Sequence, residues 1–496
     1  MTIRRLLIAN RGEIAVRIIR ACRERGVESV AVFSEPDAKA RHVALADRAV
    51  AIGPAPSVDS YLSFEKILDA ARSTGADAIH PGYGFLSQNA KFAEACRKSG
   101  ITFVGPSASA IAAMGSKIEA RRLVDQAGVP VVPGELPRDQ SDAGVAAAID
   151  RLGLPALVKA SAGGGGKGMR PIRATSDVAE AVPAARREAL SSFGDGTLYI
   201  ERLLERPRHI EVQVFGDDHG GLVHLFEREC SVQRRHQKII EESPAPVVTP
   251  EFRARVADAA LRVARAVSYT NAGTVEFLVE GTGTMSAKTP FYFLEMNTRL
   301  QVEHGVTELV AGVDLVHAQL DVAGGQPLPW QQAALGQRGH AIEARVYAED
   351  PTTNFLPQAG RLLLYREPRM PGVRVDSGVV EGDAVGVHYD PLIAKVIAAA
   401  DSRGRAIDRL LAALRDFPVL GVRTNIGFLL RVLDHANFRA ARVDTGFLDR
   451  DNASFFARPN ETPDFVQAAL AAHSDRPATK SVKDPWDSGS HARRIV

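Results

Sequence analysis

Between Phe291 and His304 the chain reads FYFLEMNTRLQVEH. As one extended strand, its alternate side chains point to opposite faces. Glu295, Asn297, Arg299, Gln301 and Glu303 then form one row, and Tyr292, Leu294, Met296, Thr298, Leu300 and Val302 the other. The polar row holds two separated carboxylates, two amides and a guanidinium. That set could supply a metal ligand, a helper ligand, an anion clamp and a general base. A solvated edge strand is the plain alternative. Glu276 sits mid-strand among Val275, Phe277 and Leu278, where a charge needs a partner. A divalent cation bridging Glu276 and Glu295 supplies one, and two carboxylates plus substrate phosphates are how Mg2+ is usually held. Two carboxylates facing water are the alternative.

A second chemical feature is PALVKASAGGGGKGMRPIR, residues 155–173. Gly163 to Gly168 satisfies GxGxxG, but four successive glycines satisfy almost any glycine motif. A β-type run follows instead of a helix, which argues against a dinucleotide fold. No Lys-Ser/Thr follows the final glycine, which argues against a P-loop. Strand, glycine loop, strand describes a flap whose bare N–H groups can approach phosphates. Lys159 on the incoming strand could add a point charge. A mobile hairpin without a ligand is the alternative. Arg234, Arg235, His236 and Lys238 make a cationic cluster, either an anion site or a solvated face.

These residues need elements to place them. Residues 4–34 read strand, turn, helix, strand: Arg5 to Ala9, Glu13 to Arg25 with Ile14, Ile18, Ile19 and Cys22 at helical spacing, and Glu28 to Phe33. That βαβ unit implies a parallel sheet. A helix at Phe64 to Thr74, a strand at Asp77 to His80, a helix at Asn89 to Ser99 and a strand at Ile101 to Val104 extend it. Ligands of such sheets sit beyond the strand carboxyl ends, where Asn10 and Gly82 to Gly84 fall. A second unit starts near Ser116-Lys117 and includes strands Thr197 to Leu203 and His209 to Phe215. In it, Ala272 to Glu280 and Phe291 to Met296 read as antiparallel partners. From about Gly339 a third, α+β unit reads strands at Gly339 to Ala348, Gly360 to Tyr365, Gly372 to Asp376 and Leu392 to Ala398. Helices follow at Arg405 to Phe417 and Asn425 to Asp434. Beyond about Ala457 the sequence is rich in Asp, Ser, Pro and Arg, apart from a helical patch at Phe465 to His473, and reads as a linker or poorly ordered tail. The expected division is 1–113, 114–333 with a lid at about 132–204, 334–447, and a tail at 448–496.

Bulk composition narrows the class. A chain of 496 residues suggests two to four domains. At 45% hydrophobic and 24% charged, it is an ordinary globular composition. A net charge of +2 gives no sign of the basic face of a nucleic-acid binder. Cys22, Cys96 and Cys230 are far apart and form no CxxC, so neither a disulfide framework nor a zinc site is expected. No apolar run is long enough to span a bilayer, and the N-terminus lacks the pattern of a signal peptide. The cytoplasm is the expected location, without a membrane or nucleic-acid partner.

The residues alone describe an ATP-using ligase with a glycine flap, one or two Mg2+ ions and an anion pocket. The strings IANRGEIAVRIIRAC, HPGYGFLSQNAKFAE, MGSK, KASAGGGGKGMR, RHIEVQV, ERECSVQRRHQKIIEESPAP, EMNTRLQVEH, AEDP, FLPQAG and YDPLIAKV resemble the biotin carboxylase component of biotin-dependent carboxylases, in the ATP-grasp superfamily. The resemblance covers residues 2–450 or so. It implies an N-terminal doubly wound parallel-sheet domain, a central ATP-grasp domain with a mobile glycine-rich lid, and a C-terminal α+β domain. It also implies a reaction. ATP phosphorylates bicarbonate to carboxyphosphate, and N1 of carrier-bound biotin is carboxylated, the first half-reaction of an acetyl- or acyl-CoA carboxylase.

Carried onto this chain, the resemblance makes Glu303 the base and has Lys238, Arg299, Gln301 and the Val302 backbone hold bicarbonate. Glu276, Glu295 and Asn297 would bind Mg2+ or Mn2+. Lys117, Lys159, Gly164, Gly165, Gly166, His209 and His236 would contact ATP phosphates or ribose. Glu201, Arg202, Leu203 and Leu204 would contact adenine, with Gln233, Glu276 and Leu278 completing the nucleotide site. Arg345 would stabilise the biotin enolate, and Tyr83 would lie near the biotin ring. The implied partners are a biotin carboxyl carrier protein or domain, a carboxyltransferase subunit and a second copy of the chain.

The chain departs from the family pattern in places. Gln88 replaces Glu, Ala162 a flap glycine, Lys167 an Arg and Arg202 a Lys. Gly305 replaces Pro, which should loosen the turn after the base. Arg20 and Glu24 match dimer positions, yet the loop Arg369 to Gly372 lacks the expected aromatic residue. No Met-Lys-Met biotinylation site is present, so the carrier is expected on another chain or on a longer form of this one. VDSGVVEGDAV, YDPLIAKV and Lys483 to Trp486 resemble acyl-CoA carboxylase α-subunits. A carbamoyl-phosphate-type synthetase and a catalytically silent nucleotide-binding subunit are the competing readings. EMNTRLQVEH together with RRHQK weighs against the first. Retention of Lys238, Glu276, Glu295, Arg299 and Glu303 weighs against the second.

Overall fold

Leu6, Leu7 and Ile8 are wholly buried, and the short apolar run that holds them, Arg5–Ile8 (β1), is the centre of a parallel sheet. In a computed structural model, which describes residues 3–161, 168–281 and 283–456, β1 is joined by Glu28–Ser34 (β2), Arg48–Gly53 (β3), Ala78–His80 (β4) and Thr102–Phe103 (β5). All pairings are parallel, in the order β3-β2-β1-β4-β5. The helix Gly12–Glu24 turns Ile14, Ile18, Ile19 and Cys22 inward, as its spacing predicts. Strand order reverses between β1 and β4, the switch point at which ligands of such sheets bind. There the Asn10 amide donates to the carbonyls of Pro81 and Tyr83, each at 2.7 Å, and fixes the turn carrying Tyr83.

A small antiparallel sheet follows: Gly134–Glu135 (β6), Ala156–Ala160 (β7), Arg170–Ile172 (β8) and Leu198–Arg202 (β9), in the order β6-β9-β7-β8. Val145, Ile149, Val158, Ile172, Val182, Leu198 and Ile200 give it a core of its own. β7 and β8 pair antiparallel on either side of the glycine stretch, as expected of a flap. The glycines themselves, Gly164, Gly165 and Gly166 included, lie outside the described residues, as do Phe465 to His473 and the rest of the tail beyond Phe456. The start of the expected tail instead forms the helices Phe447–Arg450 and Asn452–Phe456, with Leu448 and Phe455 buried.

The largest sheet is antiparallel and has eight strands: Arg208–Gly216 (β10), Leu222–Arg234 (β11), Gln237–Ser243 (β12), Asn271–Val279 (β13), Phe291–Asn297 (β14), His340–Tyr347 (β15), Val373–Ser377 (β16) and Leu392–Ala400 (β17). Their order is β14-β13-β10-β11-β12-β15-β17-β16. Along β10, Ile210, Val212 and Val214 face the helix Pro250–Ala266, joining Phe252, Val256 and Val263 in one apolar core. The alternate residues His209, Glu211 and Gln213 face the other way and are also buried. That second face is the ionic one, and the helix His304–Ala311 packs on it.

The third unit is α+β as expected, and its long strands join the central sheet because β15 pairs with β12. The free edge of β12 needs partners for its backbone groups, and β15 supplies them from a hundred residues away. Two expectations are corrected. Within the third unit, the run from Gly360 to Tyr365 divides into Gly360–Arg361 and Leu364–Tyr365, each paired elsewhere. The strand expected from Phe291 to Glu303 ends at Asn297. Beyond it the backbone bonds to side chains in place of a ladder: the Gln88 amide oxygen accepts the Thr298 N–H at 3.1 Å, and Lys395 donates to the Val302 carbonyl at 2.7 Å.

Candidate active site

Directly opposed residues of neighbouring strands share a face. Glu211 of β10 lies opposite Glu276 of β13, which lies opposite Glu295 of β14, and Arg228 of β11 lies opposite Glu211. Of these carboxylates Glu211 and Glu276 are buried, and buried charges require counter-charge. Lys238, near the start of β12, supplies it. Its Nζ donates to Glu211 Oε2 at 2.6 Å, Glu276 Oε1 at 2.9 Å and Glu303 Oε1 at 2.7 Å. Burial pulls the Lys238 ammonium down, but Glu211, Glu276 and Glu303 outweigh it and hold the ammonium charged well above its usual range. Arg228 Nε donates to Glu211 Oε1 at 2.6 Å.

Glu303 is fully buried and has a cation on each oxygen: Lys238 on Oε1, and Arg345 on Oε2 at 3.0 Å. Burial opposes its charge, yet Lys238, Arg345 and Arg228 hold the carboxyl well below the usual carboxylate range. Arg345 also pairs with Glu241. Although the chain has left the strand, its turns bring the remaining polar residues to the same place. Arg299 donates to Gln301 Oε1 at 2.9 Å and to Asn297 Oδ1 at 2.8 Å. Gln301 Nε2 donates to Glu276 Oε1 at 2.8 Å. Burial lowers the Arg299 guanidinium from its usual range, while Glu303, Glu276 and Glu295 oppose the shift. Lys238, Arg299, Gln301, Glu303 and Arg345 are therefore joined, through Glu276, in one network, and Val302 precedes Glu303 with its carbonyl held by Lys395.

Glu276, Glu295 and Asn297 are also together. Asn297 Nδ2 lies 2.8 Å from Glu276 Oε1 and 3.3 Å from Glu295 Oε1. Glu295 is closely surrounded by protein, yet its side chain is open to solvent. Burial and then the charge of Glu276 raise its carboxyl above the usual range. Two like charges directly opposed on a ladder destabilise it, and a divalent cation between them removes that cost. The two carboxylates suit a hard cation, while Asn297 turns its Nδ2 to them and its Oδ1 to Arg299. His209 Nε2 lies 2.8 Å from Glu276 Oε2 and 3.7 Å from Glu211 Oε2. The sequence reading missed Glu211, although its place among apolar residues in RHIEVQV is the signal that singled out Glu276.

The described residues expected at the nucleotide site are spread over the small sheet and the large one. Lys159 of β7 pairs with Glu201 of β9, which also meets Arg121 at 3.3 Å. Lys117 donates to the Ala160 carbonyl at 3.2 Å. Arg202 bonds Glu280 and the Tyr292 hydroxyl, and Leu203 is tied to Pro155 through its amide. Leu204 is buried. Leu278 lies opposite His209, and Gln233 opposite Lys238.

The cationic cluster does not act as one. Arg235 and His236 both have positive φ and form the tip between β11 and β12, the backbone hand of a two-residue hairpin turn. His236 is exposed there. Arg234 turns to Glu349 at 3.0 Å and covers the Phe355 ring, so Lys238 alone reaches the carboxylates. Tyr83 donates its hydroxyl to Glu13. Arg20 and Glu24, expected at a dimer contact, face Asp376 at 3.6 Å and His317 at 3.0 Å within the chain. A Cβ on Gly305 would lie 2.3 Å from Ile397 Cδ1, so Ile397 occupies the space beside that turn.

Among the described residues no helix is long and apolar enough to cross a membrane. Comparison with known proteins agrees with this architecture. Residues 2–111 match the biotin carboxylase N-terminal domain and residues 343–450 its C-terminal domain. Residues 116–331 match the ATP-binding domain of the carbamoyl-phosphate synthase L chain. The chain is 52% identical to the methylcrotonoyl-CoA carboxylase α-subunit of Rattus norvegicus over 90% of its own length, and it spans 62% of that relative. It is 48% identical to biotin carboxylase 1 of Bacillus subtilis over 90% of its length and 98% of the relative.

Two solved structures superpose closely. The biotin carboxylase domain dimer of the Hydrogenobacter thermophilus 2-oxoglutarate carboxylase, in complex with MgADP, ADP and bicarbonate, gives a TM-score of 0.87 at 40% identity, covering 92% of this chain and 100% of that one. Campylobacter jejuni biotin carboxylase gives 0.86 at 42% identity, covering 90% and 99%. With its three domain matches and its 48% identity to a biotin carboxylase covered over 98% of that relative's length, the chain belongs to the biotin carboxylase family.

Proposed function

We infer that this chain is a biotin carboxylase ligase that uses ATP and bicarbonate to carboxylate N1 of biotin. The observation that carries the reading is Glu303, a buried carboxylate clamped between Lys238 and Arg345 and adjoining Arg299 and Gln301. Bicarbonate is a weak nucleophile and must be both held and deprotonated. Lys238, Arg299, Gln301 and the Val302 backbone hold it beside Glu303. An anion placed there draws on the cations that keep Glu303 acidic, so its affinity for a proton rises as substrate arrives. Glu303 then takes the bicarbonate proton, the freed oxygen attacks the γ-phosphorus, and ADP leaves with carboxyphosphate formed.

Lys117 and Lys159 offset charge on the phosphates, where positioning and electrostatics do most of the catalysis. Glu276, Glu295 and Asn297 would hold Mg2+ or Mn2+, which when bound adds further positive charge beside the phosphates. Carboxyphosphate then collapses to CO2 and phosphate, the phosphate takes the N1 proton, and Arg345, on the opposite side of Glu303 from Lys238, stabilises the biotin enolate whose N1 attacks CO2. The chain serves a biotin carrier and a carboxyltransferase in an acyl-CoA carboxylase, a reading supported by its identity to methylcrotonoyl-CoA carboxylase α-subunits. Its three buried free thiols suit a reducing compartment such as the cytoplasm.

The test is ATP hydrolysis with Mg2+, with and without bicarbonate and free biotin, beside Glu303→Gln. Turnover should require bicarbonate, rise with biotin, and fall in the variant by about a hundredfold or more, the usual scale for a general base. ATP binding with no response to bicarbonate or biotin would mean another acid or a silent subunit.

A further inference from the structure

Lys395 is wholly buried in the middle of β17, among Ala394, Val396 and Ile397. A lysine there must be paired, and its partners come from three distant segments. Nζ donates to the Val302 carbonyl at 2.7 Å, lies 3.3 Å from Glu13 Oε1, and lies 3.8 Å from Asp376 Oδ2. Asp376 is already gripped by Arg374 at 2.7 Å, and Arg374 also holds Glu308 at 2.6 Å. Glu13 is therefore the carboxylate in direct contact with Lys395 that no arginine holds, while Glu343 acts on Lys395 through space. It sits in the first turn of the helix Gly12–Glu24, and the same Oε1 accepts the Tyr83 hydroxyl.

The contact is held in place by backbone. Gly378, just past β16, approaches so closely that a Cβ there would lie 2.5 Å from the Glu13 nitrogen and 2.6 Å from the Gly12 carbonyl carbon. One ion pair thus joins the parallel-sheet domain, the catalytic turn and the C-terminal strands. The carbonyl it holds belongs to the peptide between Val302 and Glu303, so moving Lys395 moves the base. The hydroxyl it holds belongs to Tyr83.

We propose that Lys395 and Glu13 are positioning residues for carboxylation: Lys395 sets the Val302–Glu303 peptide on the bicarbonate side, and Glu13 sets Tyr83 on the biotin side. The proposal rests on the biotin carboxylase reading. It predicts that the two sides are coupled, because one carboxylate oxygen serves both.

The experiment measures kcat and separate KM values for ATP, bicarbonate and free biotin in the full chain. It compares Glu13→Gln, Tyr83→Phe, their double variant, Lys395→Met and Lys395→Met/Glu13→Gln. Glu13→Gln and Tyr83→Phe should each raise the KM for biotin about fivefold, the loss of one charge-assisted hydrogen bond. The double variant should be no worse than the poorer single one. Lys395→Met/Glu13→Gln avoids stranding the Glu13 charge, so it folds even where Lys395→Met does not. It should raise the KM for bicarbonate about tenfold while the KM for ATP stays within about twofold. Additive effects of Glu13→Gln and Tyr83→Phe would overturn the proposal. So would kinetic losses shared equally by all three substrates, or unchanged kinetics beside a bicarbonate-dependent wild type. A wild type that ignores bicarbonate would overturn the functional reading and the proposal with it.

Discussion

His80 accepts the Gly82 N–H at Nδ1, 3.0 Å away, and places Nε2 3.2 Å from the Gln319 amide oxygen. Only the neutral ring with its proton on Nε2 makes both bonds. Burial lowers this histidine from its usual 6.5 to about 4, with Gln319 opposing. The sign follows: the unfolded chain takes up the proton first as pH falls below 6.5, so stability is present above that value and is lost as pH falls through 4. The difference is worth roughly 3 kcal/mol. His80 anchors the turn that carries Tyr83, so acid should loosen that turn. Denaturant unfolding at pH 7 and pH 4 should show His80→Gln losing less stability across that interval than the wild type. Equal losses would mean that other acid-sensitive groups, such as Glu242 and Glu308, both held at about 2, carry the whole effect.

At the level of elements, the pairing of β12 with β15 puts Glu241 directly opposite Glu343, and both are wholly buried. Arg345 reaches Glu241, but neither Glu343 oxygen has a hydrogen-bond partner among the described residues. Burial raises Glu241 to about 7, with Arg345 opposing. Burial raises Glu343 well above its usual range, with Lys395 opposing and Glu241 adding to the shift. For these acids the folded state keeps the proton longer than the unfolded chain, so stability falls as pH rises from 4.5 through 7. Glu343→Gln copies the protonated acid and can donate to Glu241. Its unfolding free energy should match the wild type near pH 5 and exceed it at pH 8 by about 1–3 kcal/mol, the cost of an unsatisfied buried group. A variant equally destabilised at both pH values would show that the Glu343 charge is compensated.

Across the whole molecule, the active site is a junction. The eight-stranded sheet runs through both the second and third family matches, and the helix Gly12–Glu24 of the first presses its N-terminus against Gly378. Gly378→Ala puts a methyl group against backbone that cannot step aside, so overpacking should cost about 1–3 kcal/mol. Because the clash lies at Glu13, the same substitution should raise the KM for biotin more than the KM for ATP. Thermal unfolding with steady-state kinetics measures both, and a stability loss without that kinetic bias would make the junction purely structural.

The sequence alone settled what lies within one segment. The βαβ run, the helix Phe64–Thr74, the flanking strands of the flap and the conspicuous Glu276 are all written in local periodicity, because side-chain direction repeats every two or 3.6 residues. The row from Glu295 to Glu303 was legible as chemistry but not as shape. Its strand stops at Asn297 because Gln88 and Lys395 capture the next backbone groups, and both come from remote segments. Lys395 and Glu13 stood in plain view in YDPLIAKV and NRGEIA, yet neither has a partner nearby in sequence. Which edge β12 offers, and which strand fills it, depends on all the others. Tertiary structure decided those contacts, since a buried charge is satisfied by whatever folding brings beside it and leaves no periodic trace of its partner.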